Sequence, residues 1–343
     1  MAQPLIQPSA FILGAIVSLM TIPAHAQTDQ ISDFYRGKTI RIVNWASAGG
    51  EYDIHGRLVS RHLGRFIPGQ PTVIHQTMTG GGGIIAANHL FNVAARDGTS
   101  LGIMPSSLAL FQALDDKQIK FDALKFGWIG TIAPTQENLV AWHQSGFKSA
   151  EDLRKREFVL GASGAGSTSV IVPTVMNALL GTRIRIVAGY PGGNEINLAM
   201  ERGESQGRWN TWSAWKVTKP DWIAEQKIIP LVQSAINKPK DLQEAPLLSE
   251  LAKNADDKRI FELLATAAEL GRPLVTTPDV PAPRMKALIS AYRAMLADPE
   301  FIREAQSLKI EIAPLVEQDL YRLVDQALST PKPLTERLRK LIE

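Results

Sequence analysis

Gly161-Ala162-Ser163-Gly164-Ala165-Gly166-Ser167-Thr168-Ser169 decides how this chain is read. Residues 157–160 before it form a short apolar run that reads as a buried strand, and residues 170–180 after it read as a helix. A strand, a small-residue turn and a helix start leave backbone N–H groups pointing outward at the positive end of a helix dipole, where anions bind. Three more such units surround it. Residues 39–44 read as a strand, followed by the turn Trp45-Ala46-Ser47-Ala48-Gly49-Gly50-Glu51-Tyr52 and a helix over 53–66 with Asp53 as its N-cap. A strand over 73–77 leads to Gly80-Gly81-Gly82-Gly83 and a helix over 84–95, the glycines allowing a backbone to approach a ligand closely. A strand over 183–188 leads to Gly189-Tyr190-Pro191-Gly192-Gly193 and a helix over 194–202. Repeated units of this kind predict parallel sheets flanked by helices, with ligands at the carboxyl ends of the strands. All four turns lie at those ends, so they converge on one anionic small molecule.

The rest of the chain adds strands over 99–103, 126–132, 139–142, 205–209 and 228–233. Residues 239–253 read as a loop followed by a helix, and residues from 283 onward as an amphipathic helical tail. The chain passes between two domains at Ala133-Pro134-Thr135 and returns through Gly271-Arg272-Pro273. A length of 343 residues accommodates two domains. The formal net charge is +3 without a long Lys/Arg block, which gives no support to nucleic-acid binding and is compatible with an anionic ligand. There is no cysteine, which removes disulfides, cysteine zinc sites and thiol catalysis. Residues 11–20 are an apolar run too short to span a bilayer, followed by Ala24-His25-Ala26, a small-x-small signal peptidase site. Cleavage after Ala26 is expected, although residues 1–26 hold no Lys or Arg, and the mature chain is expected to be exported to the periplasm.

Several chemistries fail on spacing. There is no phosphate-loop lysine motif, and the 161–166 turn is GxxGxG rather than the dinucleotide GxGxxG, so no nucleotide cofactor is expected. Ser163 does not stand in G-x-S-x-G. His55, His62, His75 and His89 form no HxxxH or HExxH pair, so no metal is expected, and no nucleophile–base pair identifies a catalytic residue. Trp209, Trp212, Trp215 and Trp222 either fill a core or wall a pocket. Arg208, beside Asn210 at a strand end, is either a surface charge or a bidentate partner for a carboxylate.

The segment 39–53 (TIRIVNWASAGGEYD), the four glycines from Gly80, Ala95-Arg96-Asp97-Gly98, the 161–169 turn and the Gly189–Gly193 turn resemble, in order and spacing, the periplasmic solute receptors of tripartite tricarboxylate transporters, the Bug or TctC-like receptors. The resemblance covers nearly the whole mature chain. It implies a type II periplasmic-binding-protein fold, α/β, with two lobes joined by two crossover strands. Lobe I is then 27–134 plus 266–343 and lobe II is 135–265, after a signal peptide over 1–26. Carried over, lobe I offers the ligand Ala48, Gly49, Gly50, Asp53, Gly81, Gly82, Gly83 and Ser106. Lobe II offers Ser163, Gly164, Ser167, Thr168, Tyr190, Gly192 and Gly193. The implied ligand is a small organic acid, enclosed by hinge closure about the two crossovers and delivered by a monomer to a membrane permease. The alternatives are a sensor for a membrane signalling protein and an enzyme acting on an organic acid. Two departures mark this chain. Asn210 stands where the family has an Asp, and Trp45 stands near a usual proline. With Arg208 and Trp212 they are expected to shape the far end of the pocket, where Arg208 and Asn210 suit an extra acidic or amide group.

Overall fold

A computed structural model describes residues 24–114 and 117–342. The apolar run 11–20 lies outside the described residues, and the expected cleavage site falls in the first turn of the helix Ala24–Tyr35. The strands are β1 (Thr39–Asn44), β2 (Thr72–Thr77), β3 (Ser100–Ile103), β4 (Gly127–Thr131), β5 (Glu137–Trp142), β6 (Phe158–Gly161), β7 (Ile184–Val187), β8 (Gly207–Thr211), β9 (Ile228–Ser234), β10 (Leu274–Thr276) and β11 (Leu315–Val316). They form two sheets, in the orders β11-β4-β10-β3-β1-β2 and β7-β6-β8-β5-β9.

Both sheets are mixed rather than parallel. The strand–turn–helix units supply the parallel parts, β2-β1-β3 and β7-β6-β8, because a helix between two strands returns the chain in the same direction. The strands that border the two passages between the sheets pair antiparallel, β10 with β3 and β4, and β5 with β8 and β9. Strands covered on both faces read as continuous apolar runs. Ile40, Ile42, Leu101, Ile103 and Leu274 are buried in the first sheet, and Leu139, Val140, Phe158 and Leu160 in the second.

The chain leaves the first sheet after Thr131, enters the second at Glu137, and returns at Leu274. The two passages are stitched together. Thr135 Oγ1 donates to the Ala268 carbonyl at 2.8 Å, and the Arg272 N–H donates to Thr131 Oγ1 at 3.1 Å. The C-terminal helix Lys332–Ile342 packs on Thr168–Leu180, a helix of the second sheet.

Three local expectations are corrected. The helix after β1 is Glu51–His62, with Gly50 as its N-cap. Asp53 is therefore its third residue and accepts the Gly49 N–H from inside the helix at 2.8 Å. No helix forms over 239–253, because Gln233 Nε2 binds the Leu242 and Ala245 carbonyls at 2.9 and 2.6 Å and holds the segment as a loop. The next helix, Ala255–Ala268, starts where Asn254 caps the Asp257 N–H. Strand β8 runs two residues later than the sequence suggests, over Gly207–Thr211.

Candidate functional site

The turns meet where the two sheets face each other. Gly82 has φ +67°, and a Cβ there would stand 2.6 Å from the Ser167 nitrogen. A Cβ on Gly164 would collide with the Gly82 nitrogen. Main chain thus abuts main chain across the gap, which only glycine permits. Beside this contact, Ser47 Oγ donates to Glu195 Oε2 at 2.9 Å and Asn194 Nδ2 to the Ala48 carbonyl at 3.2 Å. Between these contacts and the crossovers lies a cleft of about 820 Å³, its open mouth included.

Four charged side chains line it: Glu51, Glu137, Arg208 and Arg272. Two of them are partnered with each other. The Arg272 guanidinium forms an ion pair with Glu51, lies 5.2 Å from the Tyr52 ring centroid and donates to Thr211 Oγ1 at 2.7 Å. Thr211 in turn donates to Glu51 Oε2 at 2.8 Å. Burial alone would raise the Glu51 pKa, but Arg272, His55 and Thr211 outweigh it and hold the group at about 2. Glu51 follows β1, Thr211 ends β8 and Arg272 sits on the return passage, so this cluster ties both sheets to the crossover.

Arg208 is held differently. Its Nη1 donates to the Gly193 carbonyl at 3.1 Å and to Asn197 Oδ1 at 2.9 Å, and its Nη2 to Asn210 Oδ1 at 3.1 Å. All three partners are neutral, and no carboxylate stands within ion-pair distance among the described residues. Its guanidinium carbon lies 5.3 Å from the Trp215 ring. Enclosure depresses the Arg208 pKa to about 10, against the weaker opposing fields of Glu51 and Glu195. Arg208 lines the cleft.

Glu137 is the acidic counterpart. It accepts from Thr168 Oγ1 at 2.6 Å and from Trp209 Nε1 at 2.8 Å, is 5% exposed and has no cationic partner within ion-pair distance among the described residues. Burial pushes its pKa up despite those two bonds and the field of Arg272. The rest of the lining is donor-rich. Trp45 Nε1, Arg208 Nε and Asn210 Nδ2 are buried without a partner. Ser163, Ser167 and Ser169 present hydroxyls that bond one another at 2.6–3.2 Å. The first residues of the helices Thr168–Leu180 and Gly193–Glu201 line the same space, at the positive ends of their dipoles. A cleft with surplus donors and one cation lacking an anion is suited to bind a carboxylate.

Of the residues singled out from the sequence, Trp45, Gly50, Gly82, Ser106, Ser163, Ser167, Thr168, Gly192, Gly193, Arg208 and Asn210 line this cleft. Ala48, Gly49, Asp53, Gly81, Gly83, Gly164, Tyr190 and Trp212 do not. The Asp53 carboxylate turns back to Gly49 and to Arg57, 2.9 Å away. Gly81 and Gly164 meet at the abutment, whereas Gly83 packs against the cleft-lining Pro105 and Trp45. Trp212 packs with Trp142, Trp215 and Trp222 in a separate apolar cluster. Tyr190 lies on the outer turn, where its N–H donates to the Ala162 carbonyl. The sequence reading had no means to select Glu51, Tyr52, Glu137, Thr211 and Arg272. The signals available were an acid next to the Gly49-Gly50 turn and an arginine inside the crossover.

No protein-family model matches the chain, and no curated protein matches its sequence. Solved structures do match. Similar ones include the periplasmic binding protein BugD, with a TM-score of 0.71 and 19% identity over 90% of this chain and 98% of that one. Another is Rpa4515 of R. palustris with adipate, with a TM-score of 0.68 and 19% identity over 89% and 97%. A third is MatC from Rhodopseudomonas palustris with bound malate, with a TM-score of 0.65 and 19% identity over 89% and 99%. These likenesses show the fold alone, two α/β lobes arranged as in type II periplasmic binding proteins.

Proposed function

We propose that this chain is a periplasmic solute receptor of the tripartite tricarboxylate transporter type, which binds a small organic acid between its lobes and delivers it to a membrane permease. The carrying observation is Arg208: an enclosed guanidinium, lining the cleft, with only neutral partners. A half-buried charge without a counter-ion is costly, and a ligand carboxylate removes that cost on binding. The three unpartnered donors and two helix N-termini in the same cleft support the reading. So does the fold, whose solved examples include proteins with adipate and with malate.

In this reading the lobes are 27–134 plus 266–343 and 135–265, hinged at the stitched passages near Ala133 and Gly271. The signal peptide is removed after Ala26, and the receptor works as a monomer in the periplasm. The ligand contacts are the lining residues named above, with Arg208 and Asn210 as the anion clamp.

The test is a melting-temperature screen of the purified mature protein against a panel of mono-, di- and tricarboxylates, adipate and malate among them. A ligand at about one hundred times its Kd stabilises by about 2.7 kcal/mol, a rise of several degrees in a protein of this size. Each hit is then incubated and assayed for product. A shift without product is the expected result. Steady conversion of a hit would make the chain an enzyme, and no shift with any acid would remove the carboxylate reading.

A further inference from the structure

Glu137 and Arg208 line one cleft and neither has an oppositely charged partner within reach. The sheet explains why they have not paired with each other. Strands β5 and β8 are antiparallel neighbours, with Glu137 opposite Thr211 and Val140 opposite Arg208. Side chains alternate between faces along a strand, so Glu137 shares its face with Trp209 and Thr211, whereas Arg208 shares the other with Asn210. The two charges therefore reach the cleft from opposite faces of the sheet, with strand backbone between them. Each is steadied by neutral groups on its own side: Thr168 and Trp209 for the acid, Asn197 and Asn210 for the base. A molecule lying across the end of β8 can touch both.

Resting on the reading of the chain as a carboxylate receptor, we propose that its ligand also carries a hydrogen-bond donor, a hydroxyl or an ammonium group, which Glu137 accepts while Arg208 holds a carboxylate. Each Glu137 oxygen already takes one protein donor and keeps a further lone pair. A plain acid without a donor leaves those lone pairs buried and unmet, and brings a second carboxyl group toward an uncompensated one. Sites built to hydrogen-bond a ligand group reject the analogue that lacks it, because their own polar atoms are left unpaired. Glu137 is thus a specificity-determining residue, distinct from the anion clamp.

The experiment is calorimetric titration of the full mature protein with matched acids that differ only at C2. The four-carbon set is succinate, malate and aspartate; the three-carbon set is propionate, lactate and alanine. The hydroxyl and ammonium members separate the two kinds of donor. At least one donor-bearing member is expected to bind ten-fold or more tightly than its plain twin. In Glu137→Gln that gap is expected to shrink to three-fold or less, with the plain acid bound as well as before or better. The introduced amide can keep its carbonyl oxygen on Trp209 Nε1 and turn its N–H₂ to the Thr168 hydroxyl, so the fold has no lost bond to absorb. Plain and donor-bearing acids binding alike to the wild-type protein, or a variant that weakens both equally, would overturn the proposal and leave the receptor reading standing. The wild-type pairs decide even if the variant does not fold. An absence of binding by every acid, and by the wider carboxylate panel, would instead remove the receptor reading on which the proposal rests.

Discussion

Arg272 and Arg208 face the same cleft, and what most distinguishes them is what holds them. Arg272 is bound to a carboxylate and a hydroxyl, and that carboxylate is held ionised to about pH 2. It closes a cluster that joins the strand ends to the crossover, so its charge serves the architecture. Arg208 is bound to a carbonyl and two side-chain amides. Its charge is positioned and left uncompensated. Arg272 is buried and Arg208 half-buried, and on the proposed function the state of pairing separates a structural charge from a recognising one.

The comparison is broken most directly at Glu51. Glu51→Gln leaves Arg272 buried without its anion and should cost about 3–5 kcal/mol of unfolding free energy, read from urea midpoints of the ligand-free protein. A loss under about 1 kcal/mol would mean that the pair contributes no more than a surface contact. At Arg208 the pattern should invert. Arg208→Met removes a charge without a counter-ion but also three hydrogen bonds to neutral acceptors, so the ligand-free protein should lose less stability than it does in Glu51→Gln. Affinity for the acid should fall ten-fold or more, in line with about 1.5–3 kcal/mol for hydrogen bonds to a charged group. Destabilisation without loss of affinity would give Arg208 the role assigned here to Arg272.

Acid sharpens the contrast between the two glutamates. The Glu51 pKa is depressed from an ordinary 4.5 to about 2, so its stabilisation is present above 4.5 and is lost as pH falls toward 2. The Glu137 pKa is raised, so its contribution is present below its ordinary value and is lost as pH rises through the raised one. At pH 7, Glu137→Gln should therefore melt at or above the wild-type temperature, while Glu51→Gln melts well below it. The Glu51→Gln deficit should shrink as the melting buffer is taken from pH 7 to pH 3. A deficit independent of pH would locate its cause in packing rather than charge. The smallest effect is expected at the rim. Ser47→Ala removes one hydroxyl bond to Glu195 across the cleft and should lower affinity about two- to three-fold, near 0.5 kcal/mol.

What was legible in the sequence was what local chemistry writes. The alternation of apolar runs, small-residue turns and helix starts placed β1, β2, β6 and β7, each followed by a glycine-bearing turn, because strand period and turn chemistry depend on neighbours a few residues away. Arg208 could be singled out for the same reason: it stood beside a tryptophan and an amide at a strand end. Glu51, Glu137 and Arg272 could not, because their roles arise from partners far along the chain. Arg272 is 221 residues from Glu51, and Trp209 is 72 from Glu137. Asp53 was misjudged by a shift of helix start. With Gly50 as the cap, an acid at the third position reaches back to the chain before the helix instead of forward into the cleft. Trp212 opens the short helix Trp212–Thr218, and its ring joins the apolar cluster with Trp142, Trp215 and Trp222, a partnership no local pattern marks.

The abutment of Gly82 on Gly164 sets a fixed zero for the lobes. Main chain resting on main chain cannot be compressed, so the gap does not narrow further around a smaller guest. If the lobes close on a ligand as proposed, the molecule would act as a gauge of set jaw width. An acid of the right length spans from one wall to the other. A shorter one leaves a space that water must fill, and is discriminated by what it fails to reach rather than by any clash. On the proposed function, selection by length would then rest on two residues that have no side chains.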